Sequence, residues 1–181
     1  LVFHPGKPSE LLMHALETMR RGGMLGSEIA PLPVAEWRNW KTKVGEHAVL
    51  IFDRVVPDPA PDRGLVLRIG APGAGVDKPQ IAEWERDSEP FAGLDLSGVM
   101  LRRSRLLSGP GGILRAKEGV LATWETRGGF AALELGFALE ESDLAARPVV
   151  LLMLMNLREA WMDGLLRSYP SQAALGQAVT A

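Results

Sequence analysis

Two tryptophans with cationic neighbours form the most distinctive candidate contact surface in the sequence. Trp37 and Trp40 lie one helical turn apart, and Arg38, Lys41 and Lys43 accompany them. Indole rings in a basic setting can stack on nucleic-acid bases or on sugars. Aromatic side chains at this spacing are also common where a helix packs on a sheet, so the pattern equally indicates core residues. The sequence therefore predicts either a weak nucleic-acid or glycan site at Trp37 and Trp40, or a packed helix.

A second basic run, Arg102-Arg103-Ser104-Arg105, falls in a predicted strand. Side chains two residues apart in a strand share a face, so Arg103 and Arg105 can project together. Such a pair either faces solvent along an edge strand or meets an acidic partner. Both arginines are therefore candidate binding residues.

The three histidines are the candidates for acid–base or metal chemistry. His14 lies on the polar face of a predicted helix, and neither it nor His4 shows the spacing of a standard zinc site. His47 opens a predicted strand, where it could act as a general base together with a carboxylate supplied by the fold. That arrangement predicts a small hydrolase or isomerase, which is the alternative function.

Several kinds of site are excluded or disfavoured by the residues present. The chain contains no cysteine, which excludes thiolate metal sites, disulfides and cysteine nucleophiles. The glycine-rich segment 70–78 follows a predicted strand and has two glycines at phosphate-loop spacing. However, Lys78 is displaced from its expected position and Pro79 removes an amide donor. The segment is interpreted as a connector, and neither a cofactor nor a metal site is predicted.

Length and charge restrict the class of protein. The 181 residues fit one domain, residues 1–170, with residues 171–181 as a loose C-terminal tail. The net charge of -2 makes nucleic acid an unlikely partner for the chain as a whole. No run approaches the roughly 20 apolar residues of a membrane-spanning helix. The compartment is not determined, although the cytoplasm is favoured.

Hydrophobic periodicity predicts helices separated by short strands. Helices are expected over residues 8–21, from Val34 to about Val44, from Asp77 to about Ser88, and from Pro148 to about Ser168. Strands are expected over His47–Val56, Gly64–Gly70, Val99–Leu107, Ile113–Thr126 and Phe130–Leu139. Their connections are too short for parallel crossovers. The sequence therefore predicts a single α+β domain with an antiparallel sheet of about five strands and helices packed against it.

The closing helix begins with seven consecutive apolar residues, Val149–Met155. In helical register one apolar stripe runs from Val150 to Leu165, while Leu152 and Met153 lie away from it. A helix that is apolar all round must be covered on both sides. We expect a second chain or the N-terminal helix to cover Leu152 and Met153.

Taken together, these patterns predict a non-catalytic binding or assembly protein, adaptor-like or chaperone-like, that acts through protein contacts as a homodimer. The order of its elements resembles that of small bacterial secretion chaperones, a likeness that involves no particular residue. The predicted binding residues are Trp37, Trp40, Arg103, Arg105, Leu152 and Met153.

Overall fold

The computed structural model of the protein describes residues 1–25, 28–45 and 48–168. Its helices are α1 (Glu10–Arg21), α2 (Trp37–Trp40) and α3 (Val149–Ser168), and 3-10 turns occur at Val34–Glu36, Glu89–Phe91, Leu139–Glu141 and Asp143–Ala146. Its strands are β1 (Val2–His4), β2 (Pro31–Pro33), β3 (Val49–Asp53), β4 (Gly64–Ile69), β5 (Gly75–Asp77), β6 (Ile81–Trp84), β7 (Arg103–Arg105), β8 (Gly112–Ala116), β9 (Gly119–Arg127) and β10 (Phe130–Leu135).

The main sheet is mixed and has eight strands in the order β2-β1-β3-β4-β10-β9-β8-β6. The pairings from β2 through β10 are parallel, and those from β10 through β6 are antiparallel. Strands β5 and β7 form a separate antiparallel pair. The expectation of an antiparallel sheet of about five strands was therefore wrong, although the domain does combine helices and strands.

The error arose at the connection between β3 and β4. The two strands were expected to run antiparallel, yet they lie parallel, with Leu50 beside Val66. Residues 54–63 contain three prolines, and a proline-rich chain extends by about 3 Å per residue, so this segment can span about 30 Å. A five-residue strand is only about 17 Å long. An extended loop can thus make the parallel crossover for which this connection was expected to be too short.

Other elements also differ from the expectation. The predicted helix at 77–88 is replaced by strands β5 and β6, and Lys78 between them has a φ of 49°, which no helix contains. The predicted long strand 113–126 is a hairpin, β8 and β9, that turns at Lys117-Glu118. Helices α1 and α3 were predicted correctly, as was the hairpin through Gly128-Gly129 that pairs Arg127 with Phe130.

Both faces of the parallel strands are covered. On the α1 face, helices α1 and α3 bury Leu12, Met19 and Leu157 in the same core as Leu133 of the sheet. On the α2 face, Trp37 meets Phe3 and Phe52 edge-on, with ring centroids 5.4 and 5.2 Å away. Each fully buried side chain of this size contributes roughly 1.5–3 kcal/mol to folding.

Helix α1 begins at Glu10, two residues after the start of the predicted range 8–21. Oγ of Ser9 accepts a hydrogen bond of 3.2 Å from the N–H of Leu12, which is an N-cap interaction. The apolar residues of α1 repeat at helical spacing, so Leu12 and Leu16 fall on the buried side. The start of α1 is thereby fixed, with five residues between it and the end of β1.

The chain winds in both directions from β1. Helix α1 carries it from β1 to β2 on one face, and α2 carries it from β2 past β1 to β3 on the other. The order β2-β1-β3-β4-β10 is that of a doubly wound sheet, in which the winding of the chain reverses between the parallel strands β1 and β3. Within the described residues, no helix is long and apolar enough to cross a membrane.

Candidate functional site

The carboxyl ends of β1 and β3 are the place where a doubly wound sheet usually binds its ligand. β1 ends at His4 and β3 ends at Asp53, and the register pairs the preceding residues, Phe3 with Phe52. His4 and Asp53 therefore occupy neighbouring positions on the α1 face, beside the start of α1.

Asp53 is fully buried, and its carboxylate is occupied by contacts within the chain. Oδ2 accepts a hydrogen bond of 2.7 Å from the N–H of Ser9. Arg54 donates to both carboxylate oxygens, from Nε at 3.2 Å and from Nη2 at 3.0 Å. The hydrogen bond to Asp53 raises the pKa of the Arg54 guanidinium, and the charge of Glu140 raises it further. The position at which many such folds hold an anion is here filled by the protein's own carboxylate.

The backbone at this edge is strained in support of that contact. Arg54 has a φ of 56°, which a residue other than glycine rarely adopts. Its N–H nevertheless donates to the carbonyl of Ile69 at 2.7 Å, and its Nη2 also donates to the carbonyl of Lys7 at 2.8 Å. Arg54 thus joins the ends of β3 and β4 and the loop before α1.

His4 is the titratable group at this edge that has an unpaired polar atom. The residue is only 7% exposed, and its Nδ1 has no hydrogen-bond partner among the described residues. His14, by contrast, lies exposed on α1. The described part of the chain contains no group of three potential metal ligands. Nδ1 of His4 has no hydrogen-bond partner among the residues that the structure describes, and the Asp53 carboxylate is paired with Arg54. These two residues therefore do not form a hydrogen-bonded pair of catalytic nucleophile and base.

A second polar group lies near the carboxyl ends of β4 and β10, on the α2 face. Arg68 of β4 and Glu134 of β10 are paired in register, and Nη1 of Arg68 donates to Oε2 of Glu134 at 3.2 Å. Arg105 of β7 donates from Nη2 to Oε1 of the same carboxylate. We refer to Arg68, Glu134 and Arg105 as the arginine–glutamate cluster.

The small sheet is placed over this cluster by two close approaches. The N–H of Arg105 donates to the carbonyl of Gly136 at 2.7 Å, and a Cβ on Gly136 would lie 2.1 Å from the Arg105 carbonyl oxygen. A Cβ on Gly73 would lie 2.8 Å from Cδ of Arg105. The glycine-rich segment 70–78, predicted to be a connector, is therefore the layer that packs on the Arg105 side chain.

The predicted pair of arginines is divided between two environments. Arg105 faces an acidic partner, as one of the two alternatives expected, but that partner belongs to the same chain. The Arg103 side chain is 58% exposed, and its Nε lies 3.9 Å from Asp77 on β5. The two side chains therefore do not project together as a single basic patch.

The two tryptophans do not form a joint stacking surface either. Trp37 is 3% exposed, and its Nε1 donates a hydrogen bond of 2.8 Å to the carbonyl of Pro59. Trp40 is half-buried, with the ammonium of Lys43 5.7 Å from its ring centroid. Trp37 borders a concavity of about 460 Å³ between α2 and residues 59–63. This is the placement of indoles that cover a sheet.

Leu152 and Met153 lie on different sides of α3. Leu152 is 42% exposed, whereas Met153 is 3% exposed and packs in the core on the α1 face. Leu152 is joined on the outer side of α3 by Met162, which is 44% exposed. His47 lies outside the described residues, so its role as a general base stays a prediction.

A larger concave region lies beside β6. Its volume is about 680 Å³, and it is lined by residues 78–81, 98–102, Ser142 and Asp143. The Asp143 carboxylate is held there by the N–H of Met100 at 2.9 Å and by Nη2 of Arg147 at 2.7 Å. Asp143 therefore serves mainly to fix the Met100 segment against the 3-10 turn that Asp143 opens.

The described structure defines the protein as a doubly wound α/β sheet with an antiparallel extension, and solved structures share this fold. No family model and no curated protein matches the sequence. A cytoplasmic protein from Salmonella typhimurium superimposes with a TM-score of 0.60 and 10% identity, over 87% of this chain and 96% of that one. A Thermoplasma acidophilum protein, provisionally named as part of a GMP synthase, gives a TM-score of 0.55 and 10% identity, over 90% and 94%. Likeness at this identity concerns the fold alone.

Sequence reasoning missed Asp53, Arg68 and Glu134. Asp53 had one usable signal, because an acidic residue that ends a buried apolar strand requires a partner. Arg68 and Glu134 gave no signal of that kind, since they are 66 residues apart and become neighbours only through the pairing of β4 with β10.

Proposed function

We propose that this protein is a non-catalytic binding protein that acts through protein–protein contacts and self-associates through α3. The observation that carries the proposal is the apolar row on the outer side of α3. Leu152 is 42% exposed and Met162 is 44% exposed, with the half-buried Met155 between them. Exposed Leu and Met side chains that share one helical face are characteristic of an interface.

The spacing of this row suits a second copy of the chain. The face of α3 that carries this row contains Leu152, Met155, Glu159 and Met162, separated by three, four and three residues, and Glu159 is the charged member among three apolar ones. The spacing reads the same in both directions. A twofold interface requires that residue i meet residue j while j meets i. An antiparallel copy of α3 would set Leu152 against the partner's Met162 at both ends of the contact.

The state of the carboxyl edge supports a binding role over a catalytic one. The Asp53 carboxylate is held by Ser9 and Arg54, so it is not available as a base or nucleophile. Thiol chemistry is excluded because the chain has no cysteine. The proposed partner is therefore another protein surface rather than a substrate held at Asp53.

Light scattering coupled to size exclusion tests the proposal. We expect the wild type to be a dimer at micromolar concentration and the variant Leu152→Lys/Met162→Lys to be a monomer with unchanged circular dichroism. The matched control is His14→Lys/Thr18→Lys, which adds the same lysines to exposed positions of α1 and should remain dimeric. A monomeric wild type, or a dimer that survives the two α3 substitutions, would refute self-association through this row.

A further inference from the structure

The arginine–glutamate cluster carries an unbalanced charge in a largely buried setting. Two guanidinium groups share the one carboxylate of Glu134, so the cluster has a net charge of +1. The exposed fractions of the three side chains are 23% for Arg68, 20% for Glu134 and 29% for Arg105. A charge removed from water without a counter-charge is costly, and a bound anion would offset that cost.

Most of the hydrogen-bonding capacity of the cluster is unused. A guanidinium has five N–H donors, and Arg68 and Arg105 each direct one hydrogen bond to Glu134. Their Nε atoms are buried with no acceptor among the described residues. The remaining terminal N–H groups are the parts of these side chains that can still reach a ligand.

Backbone donors lie in the segment that packs on the Arg105 side chain. Gly73 packs against Cδ of Arg105, so closely that a Cβ there would be 2.8 Å away. The amides of Gly73 and Ala74 donate to no acceptor in the described part of the chain. Loop amides without acceptors and arginine side chains are the kinds of donor that bind oxyanions in other proteins.

We propose that the arginine–glutamate cluster binds the phosphate group of a small ligand. A phosphate has three terminal oxygens, so it can accept from both guanidinium groups and from the loop amides together. A carboxylate has two oxygens rather than three, so one of them would have to accept from two of these three groups. The cluster also lies near the carboxyl ends of the parallel strands β4 and β10, the edge at which doubly wound sheets bind ligands. This site is independent of α3 and of self-association.

Glu134 gives the proposal a distinctive consequence, because its carboxylate competes with the phosphate for the same donors. Replacing it by an amide raises the net charge of the cluster from +1 to +2 and releases guanidinium donors. Glu134→Gln should therefore bind phosphate more tightly, by about tenfold, even though it weakens the attachment of the small sheet. A cluster that serves only as an anchor would show no such gain.

Isothermal titration with inorganic phosphate at constant ionic strength is the test. We expect the wild type to bind, Arg105→Gln to bind about tenfold more weakly or not at all, and Glu134→Gln to bind about tenfold more tightly. The control is Arg103→Gln, which removes a neighbouring exposed arginine of the same strand and should change the affinity less than about twofold. Circular dichroism checks that each variant is folded, and Arg68→Lys replaces Arg105→Gln as the weakening variant should the latter unfold.

Three results would overturn the proposal. The first is no binding to the wild type up to about 10 mM phosphate, where a weak site would still be detected. The second is an equal loss of affinity in Arg103→Gln and Arg105→Gln, which would indicate general attraction by positive charge. The third is weaker rather than tighter binding by folded Glu134→Gln.

Discussion

The backbone N–H of Ser9 donates a hydrogen bond of 2.7 Å to Oδ2 of Asp53, a residue with no exposed surface. The contact joins the last residue of β3 to the N-cap of α1. Arg54 donates to the same carboxylate, so the negative charge of Asp53 is balanced and its oxygens accept hydrogen bonds from within the chain. The carboxyl edge at β1 and β3 is thereby occupied by contacts that stabilise the fold.

The first prediction concerns the strength of that contact. Asp53→Ala leaves the Ser9 N–H unpaired and removes the partner of Arg54, so we expect the free energy of unfolding to fall by about 2–3 kcal/mol. Urea denaturation measures the change. Asp62→Ala removes a carboxylate whose pair with Arg63 is exposed, and it should cost less than about 0.5 kcal/mol. Equal costs for the two variants would mean that the buried contact adds nothing.

The second prediction concerns the close approach of β7 to the main sheet. Gly136→Ala puts a Cβ 2.1 Å from the carbonyl oxygen of Arg105, so the two backbones must move apart. We expect a loss of about 3 kcal/mol, together with a weaker hold on Arg105. Gly128→Ala is the matched control, since no heavy atom lies within 4 Å of its added Cβ. Thermal unfolding followed by circular dichroism compares them, and a fully stable Gly136→Ala would show that this crossing can widen without cost.

The third prediction is a pH dependence that arises from Asp143. Desolvation is the largest single influence on this carboxyl and raises its pKa, but hydrogen bonds from Met100 and Arg147 together lower the pKa below its ordinary value of 3.8. A lowered pKa in the folded state stabilises the fold above the unfolded-state pKa, and that contribution is lost as the pH falls through the folded-state pKa.

Asp143→Asn should therefore be less stable than the wild type at neutral pH, and the difference should shrink as the pH falls below 3.8. Chemical denaturation at a series of pH values measures both proteins under the same conditions. A difference that stays constant from neutral to acidic pH would show that the Asp143 charge has no part in stability.

Local pattern was sufficient for those elements whose partners are close in sequence. Helix α1 follows from the spacing of Leu12 and Leu16 and from the cap at Ser9, and the β9–β10 hairpin follows from Gly128-Gly129. These are decided by contacts within a few residues, which a single sequence contains. The same holds for the length and position of α3.

The order of the strands could not be predicted in this way. Leu65 lies between Val49 and Ala131, and nothing near Leu65 identifies a neighbour 66 positions later. Residues 54–63 were recognised as a loop from their prolines. Composition does not distinguish a loop that joins antiparallel strands from one that joins parallel strands. The arginine–glutamate cluster depends on that order and was missed for the same reason.

The last prediction separates the two α3 residues that sequence analysis had grouped. Met153 is 3% exposed and Leu152 is 42% exposed, so truncation should affect them differently. Met153→Ala should cost about 2–4 kcal/mol at any protein concentration, because it leaves a cavity in the core. Leu152→Ala should cost less than about 1 kcal/mol in dilute solution, where the monomer predominates. Its cost should rise with protein concentration, since a dimer contact stabilises the fold only when the dimer is populated. Thermal unfolding at two protein concentrations a hundredfold apart measures both effects, and a Leu152→Ala cost that is independent of concentration would separate this residue from self-association.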